Sequence, residues 1–128
     1  MSASLRNELT TRSAVHAEFA IAAHGDAEGH RENQVVEHPA VKHHPDSDRP
    51  ALFLSASTTD HLVGLSEERS RQLLADALSH AYQDRFIYSH TWASHEFVVW
   101  DNIGLQHRRD TPTPGLVRTL FRFPGVTE

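Results

Sequence analysis

The chain has 128 residues, with 12 Lys and Arg against 17 Asp and Glu, a formal net charge of −5 and no cysteine. This length predicts a single domain, residues 1–128. The lack of cysteine excludes disulfides and thiolate metal ligands and leaves His, Asp and Glu as the strong metal ligands. The acidic balance argues against nucleic-acid or anionic-membrane partners.

The first third of the chain predicts a short helix, a strand and a hairpin. Residues 3–11 predict the helix, and SAVHAEFAI predicts a strand with Val15 and Phe19 as its core side chains. Residues 22–34 are polar and contain glycine, which predicts a mobile loop. Two short strands around the turn PDSDRP then predict a hairpin within residues 35–55.

From Ser66 the pattern changes to that of an amphipathic helix. Ser66 is the expected N-cap, and Glu67 and Glu68 lie in the first turn, where the helix dipole favours acids. One apolar stripe follows, made of Leu73, Leu74, Ala77, Leu78 and Ala81. This is the one well-defined helix that the sequence predicts.

The last third predicts strands. Phe86, Tyr88, His90 and Trp92 alternate along one strand, EFVVWD forms another, and a last strand runs over residues 116–123. The fold class is therefore mostly β, of α+β type. No membrane-length apolar run and no apolar signal-peptide core occur, so we expect a cytoplasmic protein without a membrane partner.

A histidine and two arginines near the end form the candidate site. On a strand, Arg118 and Arg122 share one face with their Cα atoms roughly 13 Å apart. A guanidinium fork matches a carboxylate or sulfonate, so the two arginines could bind two anionic groups. Exposed arginines on an edge strand are the more common case, and His107 alone is no metal site. From the spacing alone, both interpretations stay open.

Several blocks in order, spread over nearly the whole chain, resemble the taurine dioxygenase (TauD/TfdA) family of Fe(II)- and 2-oxoglutarate-dependent dioxygenases. The Trp-Asp-Asn block with the histidine that follows it is the most diagnostic. The residues that match are His38-Pro39, His44-Pro45, Ala51-Leu52, Gly64-Leu65-Ser66, Trp92, Glu96, Trp100-Asp101-Asn102, His107, Arg118 and Arg122.

The resemblance implies the C-terminal half of a double-stranded β-helix, or jelly roll, and an oxidoreductase. It implies that His107 is the distal histidine of a 2-His-1-carboxylate iron site. It places Arg118 where the family binds the far carboxylate of the co-substrate 2-oxoglutarate, and Arg122 where taurine-specific members contact the substrate's anionic group. Trp100, Asp101 and Asn102 are expected to shape the turn that presents His107.

The family's other two iron ligands come from a His-x-Asp/Glu motif far upstream of the distal histidine, so we expect this chain to begin after that motif. This chain contains four His-x-Asp/Glu strings of its own: His16/Glu18, His24/Asp26, His30/Glu32 and His44/Asp46. With eleven histidines and seventeen acids, about one or two would arise by chance. Only His24/Asp26, in the predicted loop, is a candidate substitute for the missing pair.

Three functional interpretations remain. The first is part of an oxygenase that acts on a small, anionic substrate with molecular oxygen. The second is a non-catalytic remnant or binding module that keeps an arginine-lined acid-binding face. The third, a histidine-rich metal-storage protein, is disfavoured because the histidines are scattered. A half barrel would expose unpaired strand edges, which predicts a homo-oligomer or a complementing chain.

Overall fold

Two antiparallel sheets and two helices make up the part of the chain that the computed structural model describes, namely residues 1–17, 35–108, 115, 119–121 and 123. In chain order the elements are α1 (Ala3–Thr10), β1 (Ser13–Ala17), β2 (Val35–Pro39), β3 (Val41–His43), β4 (Pro50–Leu52), β5 (Thr59–Leu62) and α2 (Glu67–Ala81), followed by a short 3₁₀ helix (Asp84–Phe86).

Helix α1 forms where the sequence predicts it. Ser2 is the N-cap and accepts a hydrogen bond from the Leu5 N–H at 3.2 Å. Leu5 and Leu9 lie one turn apart, so both face the same side, and Leu9 is fully buried. Helix α1 is thus stabilised by its N-cap and by the packing of Leu5 and Leu9 against the core.

The three-stranded sheet has β1 at its centre, with β2 and β5 paired to it in antiparallel fashion. Ala14 lies opposite His38 on one side and Leu62 on the other. Ala14 and His16 are buried, whereas Val15 is half-buried. The prediction of Val15 as a core residue was therefore wrong, because a strand of small and weakly apolar side chains does not reveal which face packs inward. Phe19 lies outside the described residues.

The predicted hairpin is confirmed as β3 and β4. The Asp48 N–H donates to the His44 carbonyl and the His44 N–H to the Arg49 carbonyl, both at 2.9 Å, and Asp48 has a φ of 53°, which aspartate tolerates. Ala40 joins the hairpin to the first sheet, since its N–H donates to the Arg12 carbonyl and its carbonyl accepts from the Phe53 N–H.

Helix α2 confirms the strongest sequence prediction. The Ser66 hydroxyl accepts from the Arg69 N–H at 3.3 Å, and Leu73 and Ala77 on the predicted stripe are buried. Ser70 faces β5 and its hydroxyl accepts from the Leu62 N–H at 2.8 Å, which ties the helix to an edge strand. The core comprises Leu9, Ala14, Ala40, Leu54, Leu62, Leu73 and Ala77.

The strands predicted over residues 86–92 and 96–101 were wrong. These residues form the end of the 3₁₀ helix and then irregular backbone. A strand needs a partner for its N–H and carbonyl groups, and an alternating sequence cannot supply one. Tyr88 and Phe97 are 84% and 86% exposed, so nothing in the described structure covers this apolar face. With these strands absent, the described part is α+β without the predicted excess of β structure.

The predicted loop, residues 22–34, lies outside the described residues, as do residues 116–118 and 122 of the last predicted strand. No described helix has the length and apolar character needed to cross a membrane.

Candidate functional site

The His107 imidazole is exposed and packs against the Trp100 indole. The two ring centroids lie 5.1 Å apart with an interplanar angle of 50°. The imidazole makes no hydrogen bond to another described residue. A neutral imidazole nitrogen is the commonest protein ligand for a metal, so His107 has a donor atom available for one.

Arg118 and Arg122 lie outside the described residues. The roles predicted for these two arginines stay predictions.

The turn of residues 101–105 leads into His107. Asp101 organises it: its Oδ1 accepts from the Ile103 N–H at 2.9 Å, and its carbonyl accepts from the Leu105 N–H at 3.2 Å. The backbone N–H groups of Ile103 and Gly104, with a smaller contribution from His44, hold the pKa of the Asp101 carboxyl below its usual value. The carboxylate is therefore the form that caps this turn, as a local side-chain to backbone bond of this type requires.

The second carboxylate oxygen of Asp101 binds the hairpin. Asp101 Oδ2 lies 3.1 Å from His44 Nε2. The Asp46 N–H donates to His44 Nδ1 at 3.2 Å, so Nδ1 is an acceptor and the proton of the neutral ring is on Nε2. Nε2–H therefore donates to Asp101, and both nitrogens of His44 are occupied.

Gln106 lies directly before His107, and both polar atoms of its side-chain amide form hydrogen bonds. Its Nε2 donates to the carbonyl of Leu54, a core residue, and its Oε1 accepts from the Tyr82 hydroxyl at 3.1 Å. The Tyr82 oxygen in turn accepts from the Ala56 N–H at 3.3 Å. Residue 106 is thus anchored to the segment after β4 and to the end of α2. Sequence reasoning missed Gln106, because nothing local distinguishes an anchoring glutamine from an exposed one.

A second histidine cluster lies around β1, where the sequence drew attention to His16 only as part of the string His16/Glu18. The His16 ring lies 5.4 Å from the Phe53 ring and 5.9 Å from the His38 ring, and the residue is 8% exposed. Burial, followed by the nearby His38 and Lys42, lowers the pKa of His16. Its Nδ1 pairs with the Thr59 hydroxyl at 3.3 Å, while Nε2 has no hydrogen-bond partner within the described structure.

Within the described ranges, no three His, Asp or Glu side chains lie close enough to hold a metal. His44/Asp46 is not a metal pair, since His44 is committed to Asp46 and Asp101. His24/Asp26 and His30/Glu32 lie outside the described residues, as does Glu18. His107 fits an iron site as a single ligand, and the described structure does not supply the rest of a three-ligand set.

The comparisons with known proteins decide the family. The model of the family described as "Taurine catabolism dioxygenase TauD, TfdA family" matches residues 1–123. The chain belongs to the TauD/TfdA family. The resemblance carried by the Trp-Asp-Asn block is thereby confirmed.

Relatives and solved structures agree with this assignment. Pentalenolactone F synthase of Streptomyces arenae is 30% identical over 89 residues, which are 70% of this chain and 30% of the relative. The alpha-ketoglutarate-dependent 2,4-dichlorophenoxyacetate dioxygenase of Cupriavidus pinatubonensis is 41% identical over 73 residues, which are 57% of this chain and 25% of the relative.

Among solved structures, a putative alpha-ketoglutarate-dependent 2,4-D dioxygenase from Burkholderia xenovorans superimposes with a TM-score of 0.61 at 30% identity, over 73% of this chain and 38% of that chain. A taurine dioxygenase from the same organism gives a TM-score of 0.55 at 28% identity, over 67% of this chain and 27% of that chain. The chain thus spans well under half the length of the proteins that it matches.

Proposed function

We propose that this chain is part of an Fe(II)- and 2-oxoglutarate-dependent dioxygenase that hydroxylates a small, anionic molecule. The observation that carries the proposal is the exposed His107 imidazole, free of hydrogen bonds to described residues, at the end of the Trp-Asp-Asn turn of a TauD/TfdA family chain. Relatives with "alpha-ketoglutarate-dependent" in their names support the co-substrate.

His107 would bind the iron as one of three protein ligands in a 2-His-1-carboxylate site. When bound, Fe(II) would supply the oxygen-activating chemistry, coupled to oxidative decarboxylation of 2-oxoglutarate to succinate and carbon dioxide. The protein's own contribution is to hold the ligands, orient the substrate and keep water out. The remaining histidine and carboxylate would come from outside the described residues.

Arg118 would bind the far carboxylate of 2-oxoglutarate, because its guanidinium fork matches a carboxylate with two parallel hydrogen bonds. Arg122 would contact the anionic group of the substrate. The 2,4-dichlorophenoxyacetate and (S)-phenoxypropionate in the names of relatives are both carboxylates, which supports an anionic substrate here.

In its complete form such an enzyme would be a jelly roll, to which residues 1–128 contribute a single partial domain. The exposed apolar side chains after α2 support an oligomer or a complementing chain, since exposed apolar patches mark contact surfaces. Examples are Tyr88, Phe97 and Val99. The cytoplasmic location stays a prediction from the sequence.

The charge-transfer absorption of the Fe(II) and 2-oxoglutarate chelate tests the proposal. The purified chain is titrated with Fe(II) under anaerobic conditions, with and without 2-oxoglutarate. A band that develops only when both are present supports the dioxygenase. Its absence, together with binding of 2-oxoglutarate alone, would instead indicate the non-catalytic acid-binding module.

A further inference from the structure

The segment that leads into His107, residues 101–106, is held at both of its ends by contacts to distant parts of the chain. At its first residue, the Asp101 carboxylate uses one oxygen to cap its own turn and the other to accept from His44 on the hairpin. At its last residue, Gln106 binds the Leu54 carbonyl and the Tyr82 hydroxyl. The ends of this segment are thus tied to two different structural elements.

Gly104 shows how closely this turn is packed. A Cβ atom added at Gly104 would overlap Asp101 Oδ2 and lie 3.7 Å from His44 Cδ2. The absence of a side chain at residue 104 is therefore what lets the carboxylate reach the imidazole. Any larger residue must displace the oxygen that accepts from His44.

The carboxylate of Asp101 cannot be replaced by an amide without loss. Both of its oxygens accept hydrogen bonds, one from the Ile103 N–H and one from His44 Nε2–H. An amide has one acceptor oxygen, so it can satisfy only one of these two donors. The turn and the link to the hairpin therefore depend on the same ionised group.

We propose that His44, Asp101, Gly104 and Gln106 are positioning residues for the His107 imidazole. They hold the backbone that directly precedes that histidine, so that its ring rests against Trp100 before any metal is bound. A ligand ring held in advance needs less ordering when a metal binds, and residues behind the ligands commonly supply that order. The proposal rests on the proposed function only in taking His107 to be the iron ligand.

The test measures the geometry of His107 in the metal-free chain. In NMR spectra, nuclear Overhauser contacts between the Trp100 indole and the His107 ring protons report whether the two rings stay together. His44→Ala removes the donor to Asp101, and Gly104→Ala removes no polar group but displaces the carboxylate. Gln106→Ala removes the second anchor. We expect the Trp100–His107 contact to be lost in each of the three variants.

Two further variants separate positioning from general stability. His43→Ala is the matched control, because His43 lies on the same hairpin and binds Asp48 instead, at 3.0 Å. It should keep the ring contact. His44→Gln retains an N–H donor near the position of Nε2 and should restore the contact that His44→Ala loses.

Folding of each variant is monitored by the amide-exchange protection of α2, which lies outside the turn. A purely structural role would lower the melting temperature and leave the Trp100–His107 contact at its parental intensity. That result in both Gly104→Ala and Gln106→Ala would overturn the proposal, as would equal loss in His43→Ala. If only His44→Ala unfolds, the results with Gly104→Ala and Gln106→Ala still test the proposal. Because no metal is present, failure of iron binding would refute the proposed function and leave this result standing.

Discussion

The Nε2–H of His44 donates to Oδ2 of Asp101 over 3.1 Å and joins the turn of the β3–β4 hairpin to the turn before His107. His44 is the less exposed partner, with 17% of its side chain exposed against 45% for Asp101. A half-exposed polar contact of this kind contributes little to stability. Its main effect is to fix where the Asp101 turn lies.

The first prediction concerns the stability of the fold at acidic pH. The pKa of Asp101 is lowered in the folded chain, first by the backbone N–H groups of Ile103 and Gly104. A lowered carboxyl pKa stabilises the fold above the unfolded-state pKa of about 4, and this contribution is lost as the pH falls through the folded-state pKa. Asp101→Asn should therefore flatten the acid side of a plot of melting temperature against pH. The same acid dependence in parent and variant would refute it.

His16 should produce a pH dependence in a different range. Burial lowers its pKa, so the folded chain favours the neutral ring. The unfolded chain takes up a proton first, and the free energy of unfolding should fall as the pH drops below about 6.5. His16→Leu removes this proton uptake. Urea denaturation at several pH values should show a weaker dependence between neutral and mildly acidic pH in the variant, and an unchanged dependence would count against this account.

Ser70 should contribute more to the free energy of unfolding than Ser79, the other serine of α2. Its hydroxyl accepts from the Leu62 N–H in a buried position, so Ser70→Ala leaves that N–H without its partner. We expect a loss of about 1–3 kcal/mol in the free energy of unfolding. Ser79→Ala, at an exposed position of the same helix, is the control and should change stability by less than about 0.5 kcal/mol. Equal effects in the two variants would show that the Ser70 contact is not formed.

The exposed apolar face should drive self-association. Phe97 and Val99 are 86% and 76% exposed, so the double variant Phe97→Ser, Val99→Thr removes apolar surface without opening a core. Sedimentation velocity should show less association in the variant at equal concentration. The melting temperature should stay close to that of the parent, in contrast to Leu73→Ala in the core, which should cost about 2–5 kcal/mol. An unchanged association state would exclude this face as the contact.

The elements predicted correctly from the sequence are those whose causes are local. The N-cap of Ser66, the acids of the first turn and the apolar stripe all lie within α2, and the hairpin follows from the Pro and Asp residues of its turn. Strand β5 was missed because Thr59–Leu62 is short and mostly polar. Residues 86–92 and 96–101 were assigned as two strands because of their sequence pattern, but pairing depends on a partner that such a pattern does not supply.

In the candidate site, too, the sequence revealed local features and missed contacts between distant residues. The family pattern drew attention to His44, Asp101 and His107, and it predicted that Asp101 shapes the turn before His107. It did not reveal that His44 and Asp101 bind each other, since a long-range contact leaves no mark in a single sequence. Gln106, whose partner Leu54 is 52 residues away, left no signal at all. Arg118 and Arg122 remain predictions of the family pattern.

Iron binding at His107 is the most direct test of the central claim. Under anaerobic conditions, Fe(II) affinity is measured with 2-oxoglutarate and with glutarate, which has both carboxylates but lacks the chelating oxo group. The account predicts tighter Fe(II) binding with 2-oxoglutarate than with glutarate, lost in His107→Ala and kept in His95→Ala, an exposed histidine used as the control. Equal binding with the two acids, or binding that survives His107→Ala, would contradict it.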